Sequence, residues 1–508
     1  MPSLCWLKIL MPFGTRQGRH EIFWGSLMNG VLWFFGAVLV TVAITVAGAF
    51  FPVAVIGSFA VVILLVMFSG TASRFLRGRS VPSAQWHLGL LMFPLVCAMR
   101  TVNMTTAVAL MVILALSTFF RRVPDGGGYS RHWPVVLLCL AFVGVVVRPS
   151  SLPAALFAIF ALIFLIRAVA RVTRHGAVTS LIDGVGLYLI ANVVAYYAFG
   201  LRSPGASLRS GGLESADGGV RVIYPLATSL NLPPILAAAF LAASLILLER
   251  GAKKLLRLAG AGAACIVLVG ADSRTALIAA VAVAFSSLFL PRLLRGLSLP
   301  AAIGAIVFAF LFPVISGPIV APIITWLTGL VPGLSRGSTA NSDMSLNGRE
   351  FIWSRSLTFW TDRTNEFGQA FGYGAQGQYT SGASSTYAQI FGSALQNPRM
   401  ASTHNSMLQQ LYDCGLVGLA LLALTVVACI ALWIRRSRID EPYSAAALAM
   451  ALSLVISSVS EVSLAPGVGQ ETMFIFAGLL LAACTSLEDG PKADAILKAS
   501  SRSVVRAA

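Results

Sequence analysis

About fourteen apolar runs, most of them about 15 to 22 residues long, alternate along this chain with short polar joints. A helix needs about 20 residues to cross the roughly 30 Å hydrocarbon core of a bilayer, so the runs have the length of membrane spans. They do not alternate apolar with polar, as the strands of a membrane barrel would. In lipid each backbone amide must find its partner inside its own segment, and the helix does that. Only 11% of the 508 residues are charged and 57% are hydrophobic. A soluble domain carries about 25% charged residues, so this chain could not cover a globule of its size. The sequence predicts an all-α polytopic membrane protein with about fourteen transmembrane helices and one large external loop. The spans fall near 30–49, 51–69, 86–99, 103–120, 134–149, 152–169, 179–200, 230–248, 257–271, 275–291, 298–317, 406–434, 443–461 and 471–486.

The net charge of +17 would suggest nucleic acid in a soluble protein. Here it has a plainer source. With the N-terminus in the cytoplasm, 25 of the 36 Lys and Arg residues fall in cytoplasmic segments, the distribution that orients membrane proteins. The lipid bilayer, not nucleic acid, is the expected partner. Seven cysteines form no CxxC pair and lie near no histidine cluster, so neither a disulfide framework nor a metal site is expected. No cofactor is expected either. The first 25 residues hold no cleavable signal pattern, so the first span reads as an anchor. The chain divides into a seven-span bundle (1–200), a short outer loop (201–229), spans leading into and out of an Asp-Ser-Arg motif (230–317), a large outer loop (318–405), C-terminal spans (406–487) and a cytoplasmic tail (488–508).

The outer loop at 318–405 is far longer than a connector requires. Within it, Asn347 and Glu350 have capping-box spacing, and Trp353, Leu357 and Trp360 share one helical face suited to lying on the membrane surface. Around this loop sit the candidate chemical groups. Arg274, in Gly270-Ala-Asp-Ser-Arg-Thr-Ala-Leu, lies between two spans at the outer interface, where arginine is costly unless paired or used; snorkelling or pairing with Asp272 is the plain alternative. Arg349, in Asn347-Gly-Arg-Glu-Phe-Ile-Trp, could stack on Trp353 or pair with a nearby acid. His404 is the one histidine of five on the outer side and stands at a helix start, where the helix dipole favours the neutral imidazole. Glu461 could orient His404 or an arginine, or be a solvated interfacial acid. Arg221, in the shorter outer loop, is a weaker phosphate-binding candidate. Arginine binds diphosphate bidentately without losing charge, and a neutral histidine can take a proton from a sugar hydroxyl. With no acidic cluster to hold a divalent metal, the arginines would have to stabilise the leaving diphosphate. Soluble nucleotide-sugar donors are cytosolic, so a lipid-linked donor fits this face better.

At these residues the sequence resembles the O-antigen ligase and O-antigen polymerase superfamily of bacterial inner-membrane glycan transferases. Three pieces carry the likeness: Asp272-Ser-Arg-Thr-Ala-Leu, Asn347-Gly-Arg-Glu-Phe-Ile-Trp, and His404-Asn-Ser-Met-Leu-Gln-Gln-Leu-Tyr-Asp-Cys-Gly-Leu-Val-Gly, with Gly372-Tyr-Gly as a further turn. Asp413 stands where the family often has Glu. The likeness covers about 180–465. It implies a fold like that of GT-C-type membrane glycosyltransferases, set in the bacterial inner membrane with its active site facing the periplasm. It further implies that Arg274 and Arg349 bind the diphosphate of an undecaprenyl-diphosphate-linked glycan donor and that His404 activates the acceptor. Asn405, Arg221 and Glu461 join the expected substrate-binding set. Transfer would be metal-independent and inverting. The acceptor decides the activity: another lipid-linked repeat makes a polymerase of O-antigen or exopolysaccharide, the expected reading, lipid A core makes an O-antigen ligase, and a protein hydroxyl makes an oligosaccharyltransferase. A chain-length regulator and a flippase are the further partners such a system implies. A transporter would instead place ionisable residues near the bilayer midplane; here charges gather at span ends, with Asp183 the main exception. A scaffold or sensor without activity is the remaining reading.

Overall fold

A computed structural model describes residues 84–119, 128–203, 222–248, 254–271, 273–315, 349–391, 397–437, 441–468 and 471–487. The described residues are helical, with one isolated bridge between Tyr129 and Thr485 in place of any strand. The helices are α1 (Ala84–Ala98), α2 (Met104–Phe119), α3 (Trp133–Val147), α4 (Leu152–Val169), α5 (Arg174–Tyr197), α6 (Leu232–Leu247), α7 (Lys254–Gly270), α8 (Arg274–Phe289) and α9 (Pro291–Ile315). The large loop contributes α10 (Arg349–Arg363), α11 (Glu366–Phe371) and the single turn α12 (Gly377–Thr380). The C-terminal helices are α13 (Ser406–Arg436), α14 (Pro442–Ser457) and α15 (Glu471–Cys484). Four of them, α4, α5, α9 and α13, are long and apolar enough to cross a membrane, and six more are shorter and apolar. The two spans expected near 30–49 and 51–69 lie outside the described residues.

The bundle is built around α15. Its sequence, ETMFIFAGLLLAAC, is apolar on all sides, and all of its residues are buried; a helix without a polar face belongs inside. Phe474 gathers the rings of Phe93, Phe142 and Phe157 at 5.7 to 6.3 Å, and Gly478 lets Leu181 of α5 come close. By contrast α8 and α9 keep Ile278, Val281, Phe285, Leu293 and Leu297 exposed, as lipid-facing helices do.

Asp183, the exception noted above, is fully buried and receives Nε of Arg257 at 3.0 Å. Arg257 also donates Nη1 to the Leu247 carbonyl at the end of α6, 2.8 Å away. Arg257 is thus a buried cation on α7. Removing one member of a buried ion pair strands the other and costs about 3–5 kcal/mol. Arg257→Ala is therefore expected to lose that much stability in detergent unfolding, and Asp183→Asn added to it should restore part. Equal stability of Arg257→Ala and wild type would refute this.

Only Leu290 separates α8 from α9, so Arg292 and Arg295 sit on the first turns of α9. One sequence expectation is corrected. The run 406–434 is not one uninterrupted span: α13 breaks at Gly415 (φ 69°, ψ −167°). Leu416–Arg436 is about 31 Å long at 1.5 Å per residue and matches the hydrocarbon core by itself. Ser406–Cys414 forms a separate stump, which is where the buried polar residues Gln409, Gln410 and Asp413 fall.

Candidate active site

The site is assembled where the stump of α13 begins. Asn405 caps the helix, its side-chain oxygen accepting from the amides of Met407 (2.9 Å) and Leu408 (3.1 Å). His404 immediately before it has φ 51°, one of two non-glycine residues with positive φ among those described. Histidine tolerates the left-handed region better than most side chains, but such a conformation costs roughly 1–3 kcal/mol and persists only where its surroundings enforce it.

Those surroundings are visible. The Trp353 indole N–H donates to the Thr403 carbonyl at 2.8 Å. The Thr403 hydroxyl donates to the Asn405 carbonyl at 2.9 Å, and its amide reaches Oε1 of Gln409 at 3.3 Å. The Ser406 hydroxyl donates to the Glu461 carbonyl (2.8 Å) and accepts from the Leu464 amide (3.0 Å). The Ser406 amide bonds the Ser458 carbonyl at 2.9 Å. The segment carrying His404 and the segment carrying Glu461 are thereby fastened to each other through their backbones.

Glu461 is the hub. Its Oε1 accepts from Arg349 and, at 2.8 Å, from Nδ2 of Asn231; its Oε2 lies 3.3 Å from Nδ1 of His404. Burial alone would raise its pKa, but the Arg349 charge, His404 and Asn231 outweigh burial and hold it below the ordinary carboxylate value. Glu461 is therefore an anion at neutral pH. A carboxylate can only accept, so Nδ1 of His404 is assigned the proton. The imidazole is partly exposed and the Phe391 ring stacks on it at 5.8 Å.

Arg349, His404 and Glu461 are thus brought together, and Asn405 is adjacent but committed to the helix cap. Arg349 contacts Glu461 instead of Trp353; the cation–π pair on α10 is Arg355 over Phe351 at 5.1 Å. The face of α10 expected on the membrane surface turns inward: Trp353 and Trp360 are buried, with Trp360 edge-on to Tyr412 at 5.4 Å. Arg274 is the first residue of α8; its backbone is described and its side chain is not. Arg221, Asp272 and Asn347 lie outside the described residues.

Sequence reasoning missed Asn231. Followed by Leu-Pro-Pro, it reads as an ordinary helix cap, yet it makes no side-chain cap bond and reaches Glu461 instead. The strap 222–231 that delivers it is bonded at several points. The Val222 amide reaches the Gly270 carbonyl at 2.8 Å, the Leu226 amide reaches Oδ1 of Asn192 at 2.9 Å, and the Thr228 hydroxyl reaches Glu471 at 3.2 Å. Glu471 is itself paired with Arg100 at 3.0 Å.

Residues 258–423 match the family model described as O-antigen ligase. This match supports membership of the O-antigen ligase-like superfamily. Together with the apolar helices it indicates a multi-pass membrane protein, and the matched family implies glycan and lipid-linked substrates. A search of curated proteins returns no match. The matched region runs from α7 to the first half of α13 and takes in Arg274, Arg349 and His404. It stops short of Glu461 and starts after Asn231, so half of the hub lies beyond the superfamily's matched segment.

Proposed function

We propose that this protein transfers a glycan from undecaprenyl diphosphate to a glycan hydroxyl at the periplasmic face of the inner membrane, as the polymerase of an O-antigen or exopolysaccharide. The 508 residues then form about fourteen spans in a GT-C-like arrangement, and Arg221 is a weaker phosphate contact. The observation that carries the reading is the His404–Glu461–Arg349 cluster, built at the end of the bundle that bears the large loop.

Glu461, as an anion, holds the His404 proton on Nδ1 and turns the basic Nε2 lone pair outward. Nε2 takes the proton of the acceptor hydroxyl as that oxygen bonds to the anomeric carbon. The bond from that carbon to the diphosphate oxygen breaks, and undecaprenyl diphosphate leaves with the electron pair. One displacement inverts the anomeric centre. Arg349 gives one nitrogen to Glu461, and its other N–H donors, with Arg274, meet the charge growing on the diphosphate, so that no metal is needed. Asn405 serves through the cap, not by touching substrate. Asn231, Trp353 and Ser406 are positioning residues.

The test is a deletion strain restored with wild type or His404→Ala, with surface and carrier-linked glycans sized on a gel. Polymerase activity predicts single repeats on the carrier and loss of long polymer in the variant. Long polymer retained on the carrier but absent from lipid A would make the protein a ligase. Unchanged glycans would overturn both readings and leave a transporter as the alternative.

A further inference from the structure

The helix α11 leaves two large rings uncovered. Asn365 caps it by accepting from the Gly368 amide at 2.7 Å, and Gly372, at φ 71°, ends it. Phe367 and Phe371 stand four residues apart, on one face, with ring centroids 5.3 Å apart, and are 56% and 54% exposed.

The position of this pair in the bundle is well defined. The backbone of Ala370 and Phe371 abuts Gly415 so closely that a Cβ there would lie 2.3 to 2.4 Å from it. Gly415 is the point where the 31 Å stretch of α13 begins, and Leu416, Val417 and Leu424, the first exposed large side chains of that stretch, face outward. On the other flank, Arg148 at the end of α3 lies over the Phe367 ring at 5.3 Å and donates to the Gly372 carbonyl at 3.3 Å. Val147 and Leu152 beside it are exposed as well. The two rings therefore continue the lipid-facing surface of α3, α4 and α13 at the depth where the hydrocarbon ends.

We propose that α11 is an interfacial anchor: Phe367 and Phe371 enter the outer edge of the bilayer, and Arg148 meets the lipid phosphates above them. An exposed apolar pair continuous with lipid-facing helices has hydrocarbon as its natural cover, and a cation at the rim suits anionic headgroups. The amides of Tyr373 and Gly374, directly after α11, bond the carbonyls of Tyr412 and Asp413, each at 2.8 Å. The anchor is thereby tied to the stump of α13 and fixes the height of His404 above the leaflet.

The test reconstitutes wild-type protein in nanodiscs of phosphatidylethanolamine and phosphatidylglycerol with a phospholipid carrying a diazirine on the upper part of its acyl chain, close to the ester. After photolysis, adducts are mapped by peptide mass spectrometry. The α11 peptide is expected to label at a yield within about threefold of the peptide holding Leu416, Val417 and Leu424. Labelling of the α13 peptide with none on Phe367 or Phe371 would overturn the anchor. So would labelling of the two rings by a water-soluble diazirine instead, or masking of both rings from either reagent by another segment of the chain.

Discussion

Glu461→Gln is expected to lower turnover of purified protein by about 10³- to 10⁴-fold while leaving donor affinity within a few-fold. The side chains are nearly isosteric, but a carboxylate only accepts, whereas an amide presents an NH₂. Facing Nδ1 at 3.3 Å, that NH₂ would select the imidazole tautomer with the proton on Nε2, where the acceptor hydroxyl needs a lone pair. The corresponding Asp→Asn change in the serine protease triad costs about 10⁴-fold for this reason, and loss of a general base costs 10²–10⁴-fold in general. His404→Ala should fall in the same range, and the double variant should be little worse than either single one, because the two residues act as a unit.

Acid dependence separates Glu461 from a casual surface acid. Its folded pKa lies below the ordinary value of 4.5 because Arg349, His404 and Asn231 favour the anion against burial. A depressed carboxylate contributes stability that is fully present above its unfolded pKa and is lost as pH falls through the lower folded one. The difference in thermal midpoint between wild type and Glu461→Gln should therefore hold from pH 8 to pH 5 and shrink only below about 4.5. A difference already gone at pH 6 would mean that Glu461 is protonated in the folded protein, and the proposed tautomer of His404 would fall with it.

The sequence made the site more legible than the fold. Titratable side chains are scarce outside the basic loops, so Arg349, His404 and Glu461 stood out by their position on the outer side and beside the family-like motifs, and folding brings those three together. Asn231 gave no such signal: Asn before Leu-Pro-Pro has an ordinary use at a helix start, and nothing in its spacing points to residue 461. The face of α10 was readable, but amphipathicity tells which side is apolar and not what it meets; Trp353 and Trp360 meet Thr403 and Tyr412. The break in α13 escaped because helical residues continue on both sides of Gly415. Its trace was Gln409, Gln410 and Asp413 inside a supposed span, three polar residues too expensive for lipid.

That break supplies the other large effect. Gly415→Ala is expected to cost about 2–6 kcal/mol, enough to abolish folding in a marginally stable membrane protein. Two terms add. The backbone at φ 69° and ψ −167° lies in a region that is essentially glycine's alone, worth about 1–3 kcal/mol to any other residue. A Cβ would also sit 2.3 Å from the Ala370 carbonyl, and backbone on both sides leaves no flexible chain to yield, for about another 1–3 kcal/mol of overpacking. Nor can the helix simply straighten to relieve the strain. The carbonyls of Tyr412 and Asp413 are taken by the amides of Tyr373 and Gly374, and straightening would strand those buried amides. Gly304→Ala in α9 is the matched control, since nothing lies within 4 Å of its Cβ position; a helical glycine in open space should gain up to about 1 kcal/mol from alanine. Thermal midpoints in one detergent compare the pair directly. If Gly415→Ala unfolded at the same temperature as Gly304→Ala, α13 would have to be a continuous helix, and the loop carrying Gly372 and Gly374 would have to dock elsewhere.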